Sequence, residues 1–377
     1  MPTQGIETTA GAATKSLLER VRDITARDLR ARAPEIDRKG EYPLDLLRRL
    51  GAAGAFAQHH SGFGETQSVD VSAAIGAMSV IAEECLSTAF CVWCQDAFGW
   101  YLENADNKGL RKVLQSGAAS GEILGGTGLS NPIKALSGIE PLRLRGRRVA
   151  GGYRVDGVLP WVSNIEPLHY FGVCFALDDD DRRVIMALAR SGDEGVSTRR
   201  TTRFIALDGT ATVMASFKDA FIADERILAD PLESFARTIR PGFVLLQTGM
   251  ASGLIRNSVA LMRNLPAGVL KVNRFLPVGP DEIEDRLLSL EAKLAELSST
   301  PLDQSATFLK RVLEARLEGS NLSLDAAQAA MLHAGARAYV DGSVYSRRLR
   351  ESYFIAIVTP ATKHLEKDIA DLRGLAA

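Results

Sequence analysis

One segment of the chain, residues 121–164, stops reading as helix and has residue types suited to a loop that approaches a ligand. It begins with LGGTGLSNP (residues 124–132), in which glycines and hydroxyl side chains come before an Asn-Pro pair. A loop of this composition lets backbone N–H groups come close to a ligand. The segment ends with Trp161, Val162, Ser163 and Asn164, a flat aromatic followed by small hydrogen-bonding residues. From these residues alone, the alternative is that Trp161 is a strand residue in a core and Thr127 is a turn residue, so the segment by itself names no ligand.

Between the two ends lies a predicted β-hairpin. Residues 148–155 read RVAGGYRV, and the pair Gly151-Gly152 suits the positive φ angles of a tight turn. The hairpin would connect the loop to the strand that ends at Trp161.

Other groups of reactive residue types are better explained by structural roles. Cys91 and Cys94 form a CxxC, but no second CxxC or nearby histidine completes a ligand set, and the surrounding residues are apolar. We interpret them as small hydrophobic residues of a buried helix.

The four aspartates at 178–181 predict a solvated hairpin tip, because consecutive strand carboxylates point to opposite faces. The alternating arginines at 143, 145 and 147 predict the wet face of a strand. We expect no metal site.

Composition excludes several classes of partner. The chain has 377 residues and a formal net charge of -1, so it has no basic field to hold nucleic acid or an anionic membrane. No apolar run reaches the roughly 18 residues of a membrane span. The N-terminal residues lack the apolar core of a secretory signal. We expect a cytoplasmic protein with a small-molecule substrate.

Hydrophobic periodicity divides the chain into three units. Helical spacing dominates residues 1–120, strand-like alternation and turns fill residues 121–232, and long helical patterns return over residues 233–377. The predicted fold class is α+β, with an N-terminal helical domain, a central antiparallel β domain and a C-terminal four-helix bundle.

This order, together with several local patterns, resembles the acyl-CoA dehydrogenase superfamily. The stretch YPLDLLRRLGAAG at 42–54 is similar to an early helix of the family and the turn after it. GTGLS at 126–130 stands where the family has a Thr-Glu-Pro-Gly-x-Gly-Ser loop. GYRVDGVLPWVSN at 152–164 is similar to the family segment that ends in Trp-Ile-[Ser/Thr]-Asn, and this is the strongest match. DAFIADERIL at 219–228 and YSRRLRE at 345–351 resemble its last β segment and its Arg-Asp helix.

The resemblance implies a flavin at the two ends of residues 121–164. A flavin ring is flat and polar along one edge, so it needs an aromatic or aliphatic wall and fixed hydrogen-bond donors. Trp161 would supply the wall, while Ser163 and Thr127 would address the polar edge. The implied cofactor contacts are Gly126, Thr127, Gly128, Ser130, Trp161, Val162 and Ser163.

The catalytic carboxylate of the family has no counterpart here. Aligning Arg350-Glu351 with the family's Arg-Asp pair puts Thr359 at the position of the usual glutamate. The alternative position, used by some members, falls near Phe243. A threonine hydroxyl is far too weak a base at neutral pH, and phenylalanine is none. The catalytic base is therefore not identified from the sequence.

A second branch of the superfamily uses reduced flavin and oxygen and lacks this glutamate, so Thr359 fits it better. That branch commonly has a histidine after the Arg-Asp pair. Here the first one is His364, between charged residues that favour a surface position.

The segments that bind the FAD pyrophosphate in the family are also altered. The Arg-x-x-Phe-Gly pattern would fall at Arg263, where the phenylalanine is missing. The Gln-x-x-Gly-Gly-x-Gly-Tyr pattern would fall at 332–339, where Tyr339 and one glycine remain. A lost glycine puts a Cβ where a phosphate should approach. The resemblance implies FAD, and FMN would suffice if the adenosine half is not bound.

Three functional hypotheses follow. The first is a flavin-dependent oxidoreductase that oxidises an acyl-CoA, or a related activated acyl substrate, at its Cα–Cβ bond. The second is a two-component monooxygenase that uses reduced FMN or FAD and O2. The third is a non-catalytic relative with a structural role. The resemblance further implies a homodimer or homotetramer, and an electron-transfer or flavin-reductase partner. For the oligomer, we also expect the helix over 243–265 to have more apolar surface than one neighbour covers.

Overall fold

The computed structural model describes residues 15–64 and 69–374, so the first and last residues of the predicted terminal units lie outside the described residues. Helices fill the N-terminal part up to residue 120. A mixed sheet follows, and helices return from residue 232 onward. This is the order that the sequence predicts.

The N-terminal helices surround one fully buried member. They are α1 (Leu17–Ile24), α2 (Arg30–Lys39), α3 (Leu44–Ala52), α4 (Ser72–Glu84), α5 (Leu86–Asn104) and α6 (Lys108–Ser120). A short π-helical turn, Thr25–Leu29, joins α1 to α2. Helix α5 is apolar on nearly every face, and its residues from Leu86 to Glu103 are all buried. It packs against α4, α6, the first strand and the C-terminal helices, so it forms the centre of the molecule.

The central unit is a twisted sheet with one short helix. Its elements are β1 (Gly125–Thr127), α7 (Ser130–Leu136), β2 (Leu144–Val149), β3 (Gly152–Val162), β4 (Tyr170–Leu177), β5 (Val184–Arg190), β6 (Val196–Arg199), β7 (Val213–Ala223) and β8 (Ile227–Ala229). The strand order is β6-β7-β3-β2-β4-β5-β8, and β1 pairs with β4.

The sheet differs from the prediction in being mixed rather than antiparallel. Strands β1 and β2 both run parallel to β4. Parallel neighbours require a long connection. Helix α7 and the β2–β3 hairpin connect β1 to β4, and strand β3 with the loop after it connects β2 to β4.

The predicted hairpin is confirmed in β2 and β3, where Val149 pairs with Gly152. Its turn needs one positive φ rather than the two that the sequence suggested, and Gly151 supplies it at +75°. The acidic run 178–181 lies at the turn between β4 and β5, as predicted.

The C-terminal helices form the second half of the main core. They are α8 (Leu232–Leu246), α9 (Thr248–Arg263), α10 (Ala267–Asn273), α11 (Pro280–Ser298), α12 (Ala306–Ala334), α13 (Val344–Ile357) and α14 (Thr362–Leu372). The long helix α12 packs on α9, α13 and α14, and α9 also packs on α4 and α11. One hydrophobic core therefore runs from the N-terminal helices through α5 into the bundle, and the sheet has its own smaller core.

Among the helices that the structure describes, none combines the length and the apolar character of a membrane span.

Candidate functional site

The two ends of residues 121–164 lie side by side. Thr127 at the end of β1 forms an isolated antiparallel bridge with Ser163, just after β3. The buried side chain of Asn164 locks this arrangement, because its amide nitrogen donates to the carbonyl of Gly125 at 2.6 Å and its oxygen accepts from the Tyr42 hydroxyl at 2.7 Å. Asn164 has a φ of +65°, a conformation that asparagine adopts more readily than most residues. The loop and the strand end are thus one rigid structure.

The loop glycines are explained first by packing of the backbone. A Cβ added to Gly126 would lie 2.1 Å from the carbonyl oxygen of Ser163, and one added to Gly128 would lie 2.8 Å from the carbonyl oxygen of Gly172. Neither position has room for any side chain. Their predicted role as ligand contacts stays a prediction, since the sheet alone requires glycine at both.

The end of β3 alternates between the core and the surface. Val162 is completely buried in the sheet core, whereas the Trp161 side chain is 52% exposed. A large aromatic that is half exposed on a rigid strand presents a flat apolar surface. Trp161 is therefore available as a wall, and Val162 reaches a ligand only through its backbone.

A row of hydroxyl groups continues from Ser163. Its Oγ lies 2.8 Å from the Oγ1 of Thr212, which lies 2.8 Å from the Oγ1 of Thr210. The other hydroxyl at the bridge, that of Thr127, lies 2.8 Å from the buried Tyr101 hydroxyl on α5. Hydroxyls can donate or accept, so this row can adjust to the polar edge of a ligand.

The helical bundle meets this loop at Thr359. The hydroxyl oxygens of Ser130 and Thr359 are 2.9 Å apart, and the Thr359 carbonyl accepts a hydrogen bond of 2.9 Å from the Gln247 side chain. Thr359, at the predicted position of the family's glutamate, thus faces the predicted flavin loop. The loop, the end of β3 and the segment after α13 converge at one junction.

Neither expected position holds a base. Phe243, on α8, is 3% exposed and packs edge-on against Trp93, with 5.0 Å between the ring centroids. It also stacks on Tyr101 at 6.2 Å. The side chain at the first position thus packs against aromatic rings, and the residue at the second position has a hydroxyl group as its only functional group.

His364 does not lie on the surface, and the sequence expectation on this point was wrong. It is 3% exposed, and its Nε2 lies 2.7 Å from the Ser137 hydroxyl and 3.2 Å from a carboxylate oxygen of Asp368. Asp368 also contacts Arg240. Histidine and aspartate are one helical turn apart, with Leu365 and Ile369 on the same buried face of α14. The apolar spacing of α14 is the signal that would have predicted this burial.

The residues expected to lie near the FAD pyrophosphate are Arg263 and Tyr339. Arg263 pairs with Asp281 and Glu284, each at 2.6 Å. The Tyr339 side chain is 88% exposed. Two carboxylates beside Arg263 repel a pyrophosphate, so this position does not match the family pattern.

The cysteines and the acidic run behave as the sequence analysis predicted. Burial raises the pKa of the Cys91 and Cys94 thiols well above the ordinary value, and both cysteines are completely buried on α5. Within residues 15–64 and 69–374, no group of three or more His, Cys, Asp or Glu side chains is arranged to hold a metal ion.

The junction also contains residues that the sequence analysis missed. Thr212, Gln247 and Tyr101 all make hydrogen bonds at the site, although each lies in a stretch that reads as an ordinary strand or helix. They are far from residues 121–164 in the sequence, and no local pattern indicates that they contact this segment.

The structure combines a helical unit, a mixed sheet and a helical bundle, and the Gly-Thr-Gly loop and the Trp-Val-Ser-Asn strand end lie at their junction. This is the architecture of the acyl-CoA dehydrogenase fold. Residues 12–122 match the family model described as acyl-CoA dehydrogenase, N-terminal domain. Through this domain the chain is similar to the acyl-CoA dehydrogenase family.

Two curated relatives illustrate the similarity in sequence. Benzylmalonyl-CoA dehydrogenase of Aromatoleum aromaticum is 24% identical over 198 residues, which is 52% of this chain and 52% of that protein. The match thus spans about half the length of that relative. The probable acyl-CoA dehydrogenase YngJ of Bacillus subtilis is 21% identical over 360 residues, 90% of this chain and 92% of that protein.

Solved structures of two kinds share the fold. Glutaryl-coenzyme A dehydrogenase in its glutaryl-CoA complex superimposes with a TM-score of 0.84 at 16% identity, covering 96% of this chain and 95% of that one. Dibenzothiophene monooxygenase TdsC from Paenibacillus sp. A11-2 gives 0.78 at 14% identity over 94% and 96% of the two chains. KijD3 in complex with FMN and a dTDP-sugar gives 0.77 at 17% identity over 97% and 96%. At these identities, the likeness establishes the fold.

Proposed function

We propose that the protein is a flavin-dependent oxidoreductase that oxidises an acyl-CoA, or a related activated acyl substrate, at its Cα–Cβ bond. The observation that carries this proposal is the convergence of the Thr127–Ser163 bridge, exposed Trp161 and Thr359 at one junction. The similarity in sequence to two proteins named as acyl-CoA or benzylmalonyl-CoA dehydrogenases supports the substrate class.

The junction fits the ring system of a flavin. Trp161 gives a half-exposed aromatic face, and the hydroxyls of Ser163 and Thr212 lie beside it with protons that can be redirected. When bound, a flavin supplies a two-electron acceptor for hydride transfer. The protein's part is to hold the ring on Trp161 and to donate hydrogen bonds to its polar edge from Ser163 and Thr127.

Proton removal is the step for which no residue is identified. Thr359 faces the junction but cannot accept a proton at neutral pH, and Phe243 cannot either. The dehydrogenase proposal therefore requires a base outside these two positions.

The local charges favour FMN over FAD as the bound flavin. Asp281 and Glu284 already neutralise Arg263, which stands at the arginine of the family's Arg-x-x-Phe-Gly segment. The neighbour KijD3 shows that an FMN complex is compatible with this fold. Release of the flavin by denaturation, followed by its mass, distinguishes the two.

Anaerobic mixing with a panel of acyl-CoA thioesters tests the dehydrogenase proposal. Protein loaded with FMN or FAD should lose its yellow absorbance on addition of at least one thioester. If no thioester in a panel of different chain lengths and branching reduces the flavin, this proposal is wrong.

A two-component monooxygenase is the second candidate, and one observation favours it. His364 is buried in the segment after Thr359, with its Nε2 bonded to Ser137 and its Nδ1 without a hydrogen-bond partner in the structure. A histidine side chain can hold or pass a proton, and its partner Ser137 directly follows α7, the helix that begins at Ser130 of the junction. This candidate requires a separate reductase, whereas the dehydrogenase requires an electron-transfer partner.

An assay with chemically reduced flavin and O2 distinguishes the monooxygenase from the dehydrogenase. A monooxygenase should protect the reduced flavin from direct oxidation and transfer oxygen to a sulfur, amine or aromatic substrate. Oxidation at the rate of free flavin counts against it. The non-catalytic alternative predicts no flavin binding at all, so a titration with micromolar or tighter affinity would exclude it.

A further inference from the structure

Two arginines are almost completely buried, and only one has a counter-charge. Arg348 and Arg316 are each 1% exposed. Arg348 Nη1 lies 2.8 Å from a carboxylate oxygen of Glu351, which is itself buried. Within the part of the chain that the structure describes, Arg316 has no carboxylate within 4.0 Å. A buried charge without a partner is costly, so proteins rarely keep one without a use for it.

Neutral groups alone surround the Arg316 guanidinium. Its Nε donates to the Gln247 side-chain oxygen at 3.0 Å and its Nη2 to the carbonyl of Ile355 at 2.7 Å, while Nη1 donates to the Ser320 hydroxyl. Burial lowers the pKa of Arg316 to about 10, which still leaves it protonated at neutral pH. The C-terminal end of α13, where Ile355 lies, offers about half an elementary charge at most. A net positive charge therefore remains.

This charge is connected to the functional junction. Gln247, which accepts from Arg316, donates in turn to the Thr359 carbonyl, and the Thr359 hydroxyl contacts Ser130 in the predicted flavin loop. The unpaired cation thus lies two hydrogen bonds from the position where the family has its carboxylate. Gln247 is therefore the side chain that separates Arg316 from the junction.

We propose that Arg316 is the receptor for a carboxylate on the substrate, so that the preferred substrate is the thioester of a dicarboxylic acid. This inference rests on the function proposed above. The planar guanidinium matches a carboxylate in two parallel hydrogen bonds. The substrate carboxylate takes the place of the Gln247 oxygen as acceptor from Nε, and it supplies the missing counter-charge in a site closed to water.

Paired thioesters test this assignment. Binding of malonyl-, succinyl- and glutaryl-CoA is compared by calorimetry with that of propionyl-, butyryl- and pentanoyl-CoA, which have the same chain lengths without the carboxylate. In the wild type, at least one dicarboxylic thioester should bind at least about tenfold more tightly than its neutral counterpart. Arg316→Gln should lose this preference and keep its affinity for the neutral thioester. Arg311→Gln, on the exposed side of the same helix and paired with Glu296, is the matched control and should keep the preference.

A second variant keeps the test decisive if Arg316→Gln does not fold. Ser320→Asp places a carboxylate next to Arg316 Nη1, so it should raise the melting temperature and abolish the dicarboxylic preference. Wild-type protein that binds both kinds of thioester equally overturns the inference and leaves the proposed function standing. Wild-type protein that binds no thioester overturns both.

Discussion

The hydroxyl oxygens of Ser130 and Thr359 lie 2.9 Å apart, which joins the loop after β1 to the segment after α13. Residues 229 positions apart in the chain thus meet at the position that the sequence aligns with the family's catalytic glutamate. The contact fixes Thr359 against the predicted flavin loop, and it makes this position the most informative one to change.

Thr359→Glu should increase the rate at which an acyl-CoA reduces the bound flavin. The new carboxylate lies beside Ser130 and can accept a proton, a role worth roughly a hundredfold or more in rate. Stopped-flow absorbance under anaerobic conditions measures it. The control Thr359→Gln has the size of the glutamate without its charge and should reduce flavin at the wild-type rate. Equal rates for both variants would show that the substrate does not approach this position.

Trp161→Ala should weaken flavin binding by roughly fivefold, because stacking of this kind contributes on the order of 1 kcal/mol. The fold should remain intact, since the side chain is 52% exposed. Fluorescence titration with FMN and FAD measures the affinity, and circular dichroism checks the fold. Val158→Ala, at an exposed position of the same strand, should bind flavin as the wild type does. Unchanged affinity in Trp161→Ala would move the site elsewhere.

Gly126→Ala should destabilise the protein by about 3 kcal/mol or more, because its Cβ would lie 2.1 Å from the carbonyl oxygen of Ser163. Urea denaturation measures the free energy of unfolding. Gly268→Ala is the contrasting substitution. Among the described residues, nothing beyond its own helix and chain neighbours lies within 4 Å of its added Cβ on α10, so it should be neutral or stabilising by up to about 1 kcal/mol. A stable Gly126→Ala protein that has lost flavin would indicate a ligand contact instead.

Stability should decrease in acid through His59. Its ring is completely buried, and burial lowers its pKa from 6.5 to about 4. Between these two values the unfolded chain binds a proton that the folded chain does not, so the free energy of unfolding falls as the pH decreases. The contribution of this group reaches about 3 kcal/mol. His60, beside it, also has a pKa lowered by burial and adds to the same slope.

Comparison of the wild type with His59→Asn isolates this effect. Urea unfolding between pH 4 and pH 7 should show the difference between the two proteins shrinking towards pH 4. Burial raises the pKa of Asp96, whose carboxylate lies 3.8 Å from the His59 ring, so its contribution has the opposite sign and is lost as the pH rises. Asp96→Asn should therefore keep the acid-side slope. Parallel curves for wild type and His59→Asn would contradict the prediction.

Phe275→Asp should disrupt a homo-oligomer. The sequence located the spare apolar surface on the helix over 243–265, but most of its apolar residues are buried inside the chain against α4, α11 and α12. Several exposed apolar side chains lie instead on and after α10 and at and after the end of α12: Val272, Phe275, Leu332, Tyr339 and Val340. Sedimentation should show an oligomer in the wild type and a smaller species in the variant. A wild-type monomer at micromolar concentration would refute the homo-oligomer.

The sequence was sufficient for the order of the units and for the hairpin, because these depend on local periodicity and turn residues. It did not predict the parallel pairing of β1 with β4, which depends on how a long crossover packs. His364 was misplaced because its charged neighbours outweighed the apolar spacing of Leu365 and Ile369.

The candidate site was predictable only in part, because a local pattern does not show which distant segments meet. Residues 121–164 contain their own signal, since glycine, hydroxyl and tryptophan side chains are grouped there. The lack of a counter-charge at Arg316 depends on what every other helix brings near it, and no local pattern reports that. Gln247 was likewise invisible, because its hydrogen bonds connect three distant segments.

Asn164 has one more consequence, which concerns the order in which a newly made chain matures. Its side chain joins Tyr42 to Gly125, and β3 pairs with β7, so the loop and the strand end depend on residues up to 223. Ser130, in contrast, waits for Thr359, which is translated much later. The wall that would receive the flavin is therefore complete well before the pocket that would receive the substrate.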